Sequence, residues 1–283
     1  MDLIQETKFI MNKYSITANK NYGQNFLIDD YIVKNIVENA EVSKEDLIIE
    51  IGPGLGTLTS KLINQAGKVI CIELDSNMIK ILNDRFSLYD NFELIHDDIL
   101  KVDLRELIEI NLNSLNLKNA KVVANLPYYI TTPIVMKLLE EKLNLESITV
   151  MVQKEVAKRL TEKPGCKETG AITYSINYYT DPEFIFDVPN TSFIPSPKVD
   201  SAVIKLNILK EPKIKVKNEE TFFKIIKVAF MQKRKTLLNS LSNNNIAEKS
   251  ELEKMLQDLN IDLKIRAEKL TLEEFGKISD YLS

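Results

Sequence analysis

Five times between Leu47 and Lys163 the chain repeats one unit: a short apolar run followed by a stretch with helical spacing. LIIEIG precedes TLTSKLINQA, KVICIEL precedes SNMIKILNDRF, and FELIH precedes a short helical stretch. KVVANL then precedes TPIVMKLLEEK, and SITVMVQ precedes KEVAKRLTEK. Short apolar runs bounded by turn residues are strands buried on both faces, and their alternation with helices predicts a mainly parallel, doubly wound α/β sheet. Upstream, DDYIVKNIVENA sets Ile32, Val33, Ile36 and Val37 at helical spacing behind Asp29 or Asp30 as a cap. Downstream, EFIFDV and DSAVIKLNIL are strand-like runs with no helix between them, as in an antiparallel hairpin at the sheet edge. Beyond residue 208 the strand pattern stops, and both TFFKIIKVAFMQKRKTLLNSL and the segments after it are helical. The expected division is therefore a sheet domain over 1–208 and a small helical domain over 209–283.

Bulk properties narrow the function classes. Hydrophobic residues make up 44% and charged residues 28%, the balance of a folded globule. No stretch reaches the roughly 18 apolar residues of a membrane span, and the opening MDLIQETKFIMNK carries acidic groups and lacks a signal-peptide core, so no membrane association and a cytoplasmic location are expected. Two cysteines, Cys71 and Cys166, are too few for a disulfide framework or a zinc site, and no metal is expected. A net charge of −4 argues against a generic polyanion binder, yet Lys205 to Lys235 holds ten Lys or Arg against three Glu. That run is either a solvated charged face or a local nucleic-acid patch.

The chemistry gathers at the ends of the predicted strands. EIGPGLGTLT puts Gly52, Gly54 and Gly56 in the turn from the first strand to its helix, where glycine permits a tight bend and close approach of a ligand. The spacing is GxGxG, against the GxGxxG of dinucleotide dehydrogenases. Glu73 in CIELD ends the next strand, placed to accept hydrogen bonds from two ribose hydroxyls, while Asp75 is the better helix cap. Asp98 in IHDDIL stands at the carboxyl edge of the third strand, where an acid can accept an adenine amino group; Asp97 is its undecided neighbour. His96, the single histidine, has no companion nucleophile or ligand and is assigned no catalysis.

VVANLPYYITTP closes the fourth strand with Asn125, Leu126, Pro127 and Tyr128 in succession. An aromatic amine is a poor nucleophile because its lone pair is delocalised. Two acceptors, the Asn125 side-chain oxygen and the Leu126 carbonyl, can take the amino hydrogens and localise that pair. Pro127 stiffens the loop and Tyr128 offers a face for a base. Catalysis would then be positioning and electrostatics. The plain alternative is a proline-bearing turn after a buried strand.

Together NYGQNFLIDD, EIGPGLGTLT, CIELD, DDIL, NLPYYITTP, VQKEVAKRL, SFIPSPKVDSAV and AFMQKRKTLLNSL resemble, in order, the blocks of the ribosomal RNA adenine dimethyltransferases, specifically the bacterial small-subunit branch. The likeness spans nearly the whole chain. It implies a Rossmann-like class I methyltransferase sheet, S-adenosylmethionine as cofactor, and the small ribosomal subunit and its rRNA as partner, with the protein acting as a monomer. Cofactor contacts are implied for Asn25, Leu27, Gly52, Glu73, Asp98 and Asn125. Asn125, Leu126 and Tyr128 are implied to hold the target adenine, with Phe193 of SFIPSP stacking on its other side; the bland reading of Phe193 is an edge-strand core residue. Lys224, Lys227, Lys233, Arg234 and Lys235 are implied to face RNA phosphates. Lys233 stands where the family often has the first of two arginines, which keeps charge but loses one bidentate fork. TGAITYSINYYTD departs from the family pattern, and its tyrosines are assigned nothing. The rivals are the large-subunit enzyme of the macrolide-resistance type, whose loop reads NIPYN, and a mainly non-catalytic ribosome assembly factor.

Overall fold

The computed structural model describes residues 2–19, 22–166, 169–232 and 234–283. The chain opens with helix α1 (Leu3–Lys13) and a two-residue strand β1 (Phe26–Leu27), then helix α2 (Asp30–Asn39). Five strand–helix units come next: β2 (Asp46–Ile51) and α3 (Thr59–Gln65), β3 (Lys68–Glu73) and α4 (Ser76–Phe86), β4 (Phe92–His96) and α5 (Leu104–Leu115), β5 (Asn119–Asn125) and α6 (Thr131–Glu140), β6 (Ser147–Gln153) and α7 (Lys154–Thr161). Helix α8 (Ala171–Tyr179) leads to β7 (Thr180–Val188), β8 (Phe193–Ile194) and β9 (Ser201–Ile208), and the chain ends in α9 (Glu219–Met231), α10 (Leu237–Asn243), α11 (Lys249–Asp258) and α12 (Leu272–Tyr281).

Among the described residues the main sheet has seven strands in the order β4-β3-β2-β5-β6-β9-β7. Strands β2 to β6 pair in parallel, and β9 runs antiparallel to β6. All six residues of β2 are buried, as a strand covered on both faces requires, which is why its sequence is nearly continuous in apolar residues. Asp29 caps α2 by accepting from Tyr31 N and Ile32 N, and Asp75 caps α4 by accepting from Asn77 N. The helix after β4 is longer than the short stretch expected. Asp103 starts it by accepting from Glu106 N, and it runs to Leu115 before Asn116 stops it in the left-handed region at φ 52°. The order reverses between β2 and β5, so the chain leaves these two neighbours in opposite directions and opens a crevice at their carboxyl ends. Among the described residues no helix is long and apolar enough to cross a membrane.

The chain divides into two compact units, residues 1–157 with 183–208, and 158–182 with 209–283. The expected break after residue 208 is one of these crossings. Residues 158–182, expected in the sheet domain, belong instead to the helical unit. The physical reason is the pair of tyrosines in α8. Tyr174 and Tyr178 are buried in the helical core with Phe222, Ile225, Leu252 and Phe275. Tyr174 meets Phe275 edge-on at 4.9 Å between centroids, and its hydroxyl donates to Leu270 O at 2.6 Å. The sheet unit has its own core, in which Val33, Ile36, Leu62, Val69 and Ile81 are wholly buried.

Candidate active site

At the carboxyl ends of β2 to β5 lies an open cleft of about 1090 Å³, counted with the part open to solvent. Its floor is the glycine turn. Gly52, Gly54 and Gly56 have φ of 66°, 58° and 80°, a region costly for any residue with a β-carbon. A β-carbon on Gly54 would lie 3.6 Å from the Phe26 ring, and one on Gly56 would collide with the Phe86 ring at 2.3 Å. Gly52 and Gly54 therefore bring backbone to the cleft, while Gly56 packs against Phe86 beneath it.

Glu73 ends β3 beside this turn and is 8% exposed. One of its oxygens, Oε1, accepts from Leu74 N and Asp75 N at 2.8 Å each, and the other, Oε2, accepts from Gly54 N at 3.3 Å. Burial pushes its carboxyl above the ordinary value, against the pull of these three N–H groups. Asp98, half-buried after β4, accepts from Leu100 N at 3.0 Å through Oδ1. A roof crosses over from the N-terminal side. Gln24 donates to Asp75 Oδ2 at 2.8 Å, Asn25 donates to Gly23 O at 3.1 Å, and Leu27 is buried in β1 against the same cleft.

Asn125 ends β5, and Leu126 N continues the ladder by donating to Met151 O at 3.1 Å. The next turn is closed on Pro127, whose carbonyl accepts from Ile130 N at 3.2 Å and from Thr131 Oγ1 at 3.0 Å. Tyr128 is pinned by its hydroxyl, which shares a 2.6 Å hydrogen bond with Ser201 Oγ; burial pushes its phenol above the ordinary value.

The structure thus brings Asn25, Leu27, Gly52, Glu73, Asp98, Asn125, Leu126 and Tyr128 to one cleft. Phe193 is not among them. It is 2% exposed, pairs across β1 as the partner of Leu27, and packs in the core of the sheet unit, which is the bland reading of this residue. Here its ring faces the core and does not line the cleft. Lys224 and Lys227 are exposed on α9, and Arg234 and Lys235 are exposed in the turn after it; all four lie in the helical unit. Lys233 lies outside the described residues.

Two cleft residues escaped the reading of the sequence. Glu50, 1% exposed in β2, accepts from Thr59 Oγ1 at 2.6 Å and from Cys71 Sγ at 3.3 Å. Burial pushes its carboxyl up to about 7, against the pull of these two donors, and the neighbouring Glu73 adds to the rise. Its signal was an acid inside an otherwise apolar strand. Tyr129 stands at the cleft beside Tyr128 and is 58% exposed. Its signal, the second tyrosine of NLPYY, was masked by the first.

The site suits an adenosine-type cofactor on its own evidence: a glycine-rich turn at its floor, a buried carboxylate at the end of the second strand of the unit, and an acid just beyond the third.

A profile of the family described as "Ribosomal RNA adenine dimethylase" matches residues 15–283. A protein of Clostridium botulinum named "Ribosomal RNA small subunit methyltransferase A" is 50% identical over 274 residues, covering 97% of each chain. A protein of Bacillus pumilus with the same name is 48% identical, covering 98% of this chain and 95% of its own. Among solved structures, a dimethyladenosine transferase from Plasmodium falciparum superposes with a TM-score of 0.72 at 26% identity, over 89% of this chain and 95% of its own. The 23S rRNA methyltransferase ErmE superposes with a TM-score of 0.68 at 24% identity, over 91% of this chain and 99% of its own, a likeness of fold. Matched along nearly its whole length and carrying the cleft described above, the chain belongs to the ribosomal RNA adenine dimethylase family of methyltransferases.

Proposed function

We infer that this methyltransferase acts on the exocyclic amino nitrogen of two adjacent adenosines in the 3′-terminal hairpin loop of small-subunit rRNA. The product is dimethyladenosine, made during ribosome biogenesis. The observation that carries the reading is the convergence of Asn125, Leu126 and Tyr128 with Glu73 and the glycine turn on one cleft. The full-length relatives named for the small subunit support the choice of RNA.

S-adenosylmethionine, when bound, supplies a methyl group on an electrophilic sulfonium. Glu73 and Asp98 are the residues to hold its ribose and adenine, with Asn25, Leu27 and the backbone at Gly52 around them. The remaining work falls to the turn after β5. Asn125 Oδ1 and the Leu126 carbonyl accept the amino hydrogens of the target adenine and localise its lone pair. Tyr128, fixed by Ser201, holds the base by its face. Pro127, with its carbonyl engaged twice, keeps this turn in place, so orientation is set before the base arrives. Once methylated, the nitrogen loses one proton to these acceptors or to water. After the first transfer one N–H remains, and the pocket must admit a methyl where a hydrogen was.

The helical unit supplies phosphate contacts through Lys224, Lys227, Arg234 and Lys235, with Lys233 added by its place in the sequence. The protein works as a monomer in the cytoplasm on the small subunit. The test is transfer of labelled methyl to small subunits lacking the modification, with large-subunit RNA as control and digestion to nucleosides. Dimethyladenosine on the small subunit alone is expected. Label on large-subunit RNA would replace this reading with the resistance-type enzyme, and label on neither would leave the assembly factor.

A further inference from the structure

The turn after β5 carries two tyrosines, and they are built differently. Tyr128 is half-buried and tied to Ser201. Tyr129 is 58% exposed although it lines the cleft. An exposed aromatic ring alone is ordinary on protein surfaces, and Leu88 is 95% exposed without lining the cleft. What separates Tyr129 is its seat. One edge of its ring rests on Gly23, so that a β-carbon there would come within 3.3 Å of Cδ1 and 3.6 Å of Cε1. Gly23 has φ 60°, and a side chain there would press on the ring edge. The ring is thus held by one edge at the rim of the cleft, with most of its surface open to solvent. Burial, then Asp98, Tyr22 and Glu73, push its phenol above the ordinary value, so the ring is uncharged at neutral pH and does not repel phosphate.

We propose that Tyr129 is the stacking platform for the nucleobase adjacent to the target adenosine. This rests on the reading that the substrate is RNA with two neighbouring adenosines. When one base enters the cleft against Tyr128, the next stays outside, one backbone step away, and loses the neighbour it was stacked on. An open aromatic ring at the mouth replaces that partner, and stacking accepts any base because every base has a π-face. Tyr129 thereby sets which phosphodiester geometry presents the amine, and when the second adenosine takes its turn the first, now methylated, is the base beside it.

The test uses the full chain and reconstituted small subunits whose rRNA carries either both adenosines or one adenosine beside an abasic nucleotide. kcat/KM for the first methyl is measured for the wild type, Tyr129→Phe and Tyr129→Leu, together with the affinity of each for S-adenosylmethionine. The wild type is expected to lose about tenfold on the abasic substrate, within the range of one base–aromatic stack. Tyr129→Leu is expected to lose about tenfold on the intact substrate and nothing further on the abasic one, while Tyr129→Phe behaves as wild type and cofactor affinity is unchanged in all three. A wild type indifferent to the missing base, or a Tyr129→Leu enzyme that still discriminates, overturns the proposal. A loss of cofactor affinity matching the loss of turnover overturns it too, by making Tyr129 part of the roof. Absence of any transfer by the wild type to intact subunits removes instead the functional reading beneath it.

Discussion

The two ends of the sheet bury carboxylates in opposite ways. At the amino end, Asp46 is fully buried and surrounded by donors. Lys121 Nζ lies 3.0 Å from its Oδ2, Asn119 Nδ2 donates to Oδ1 at 3.0 Å, and Ser43 N donates at 2.7 Å. Burial pushes the Asp46 carboxyl up, but these hydrogen bonds win and hold it below the ordinary value. Lys121 also donates to Glu41 O at 2.7 Å, and Lys205 pairs with the Glu41 carboxylate. At the carboxyl end, Glu50 and Glu73 are buried too, yet among the described residues neither has an ion pair, and burial pushes both up. Charge is compensated where the sheet only has to be stable and left uncompensated where a ligand needs acceptors. Sites that bind give up stability in this way.

That contrast can be broken from either end. The largest effect is expected from Lys121→Ala, which leaves Asp46 buried without its cation. Removing one partner of a buried pair costs about 3 to 5 kcal/mol, so urea denaturation should show a loss of that size, with turnover of the folded protein unchanged. A loss below about 1 kcal/mol would mean that the amino-end network is not what secures the sheet.

Glu50→Gln acts in the other direction. The folded protein binds the Glu50 proton more tightly than the unfolded chain, because the carboxyl moves from 4.5 to about 7. Its contribution is therefore full below pH 4.5 and lost as the pH rises through 7, by about 3 kcal/mol in all. The amide should remove this slope, so that above pH 7 the variant is more stable than the wild type. Asp46 has the opposite sign, since its lowered carboxyl contributes above its ordinary value and loses that contribution as the pH falls through its folded value. Unfolding curves between pH 4.5 and 8 separate the two, and a slope that persists in Glu50→Gln would assign it to another group.

Glu73→Gln should weaken binding of S-adenosylmethionine by about 2 kcal/mol, the worth of hydrogen bonds to a charged acceptor, while stability holds or rises. Calorimetric titration beside a melting curve reads both. Smallest is the joint replacement of Arg234 and Lys235 by Ala, which touches neither end of the sheet. RNA binding should lose about 1.5 from the slope of log affinity against log salt, as for two single-strand phosphate contacts, with cofactor affinity unmoved. An unchanged slope would place the RNA phosphates on other cations.

The sequence disclosed most of the cleft and least of what depends on distant packing. Gly52, Glu73, Asp98 and Asn125 were legible because each stands at or just beyond a strand's end, and the chemistry of a doubly wound sheet collects at those ends. The helix over Ala171–Tyr179 was legible as nothing in particular, since Tyr174 and Tyr178 find Phe275 and Phe222 far along the chain and no local pattern records that meeting. For the same reason residues 158–182, which the strand–helix pattern places with the sheet, group with the helical unit. Phe193 shows the converse. Its motif spoke for a base contact, while the pairing of β8 with β1, invisible in either two-residue strand alone, encloses it. Glu50 was passed over because an acid in a buried strand acquires meaning only when its neighbours Thr59 and Cys71 are known.

The central claim is that the turn at Asn125 activates the adenine amine within this cleft, and single-turnover methyl transfer to unmodified small subunits by Asn125→Ala tests it most directly. The account predicts that transfer falls by at least about a hundredfold, the scale of removing one preorganised hydrogen-bonding group from a catalytic site, with RNA binding and melting temperature close to wild type. Transfer at the wild-type rate would contradict it.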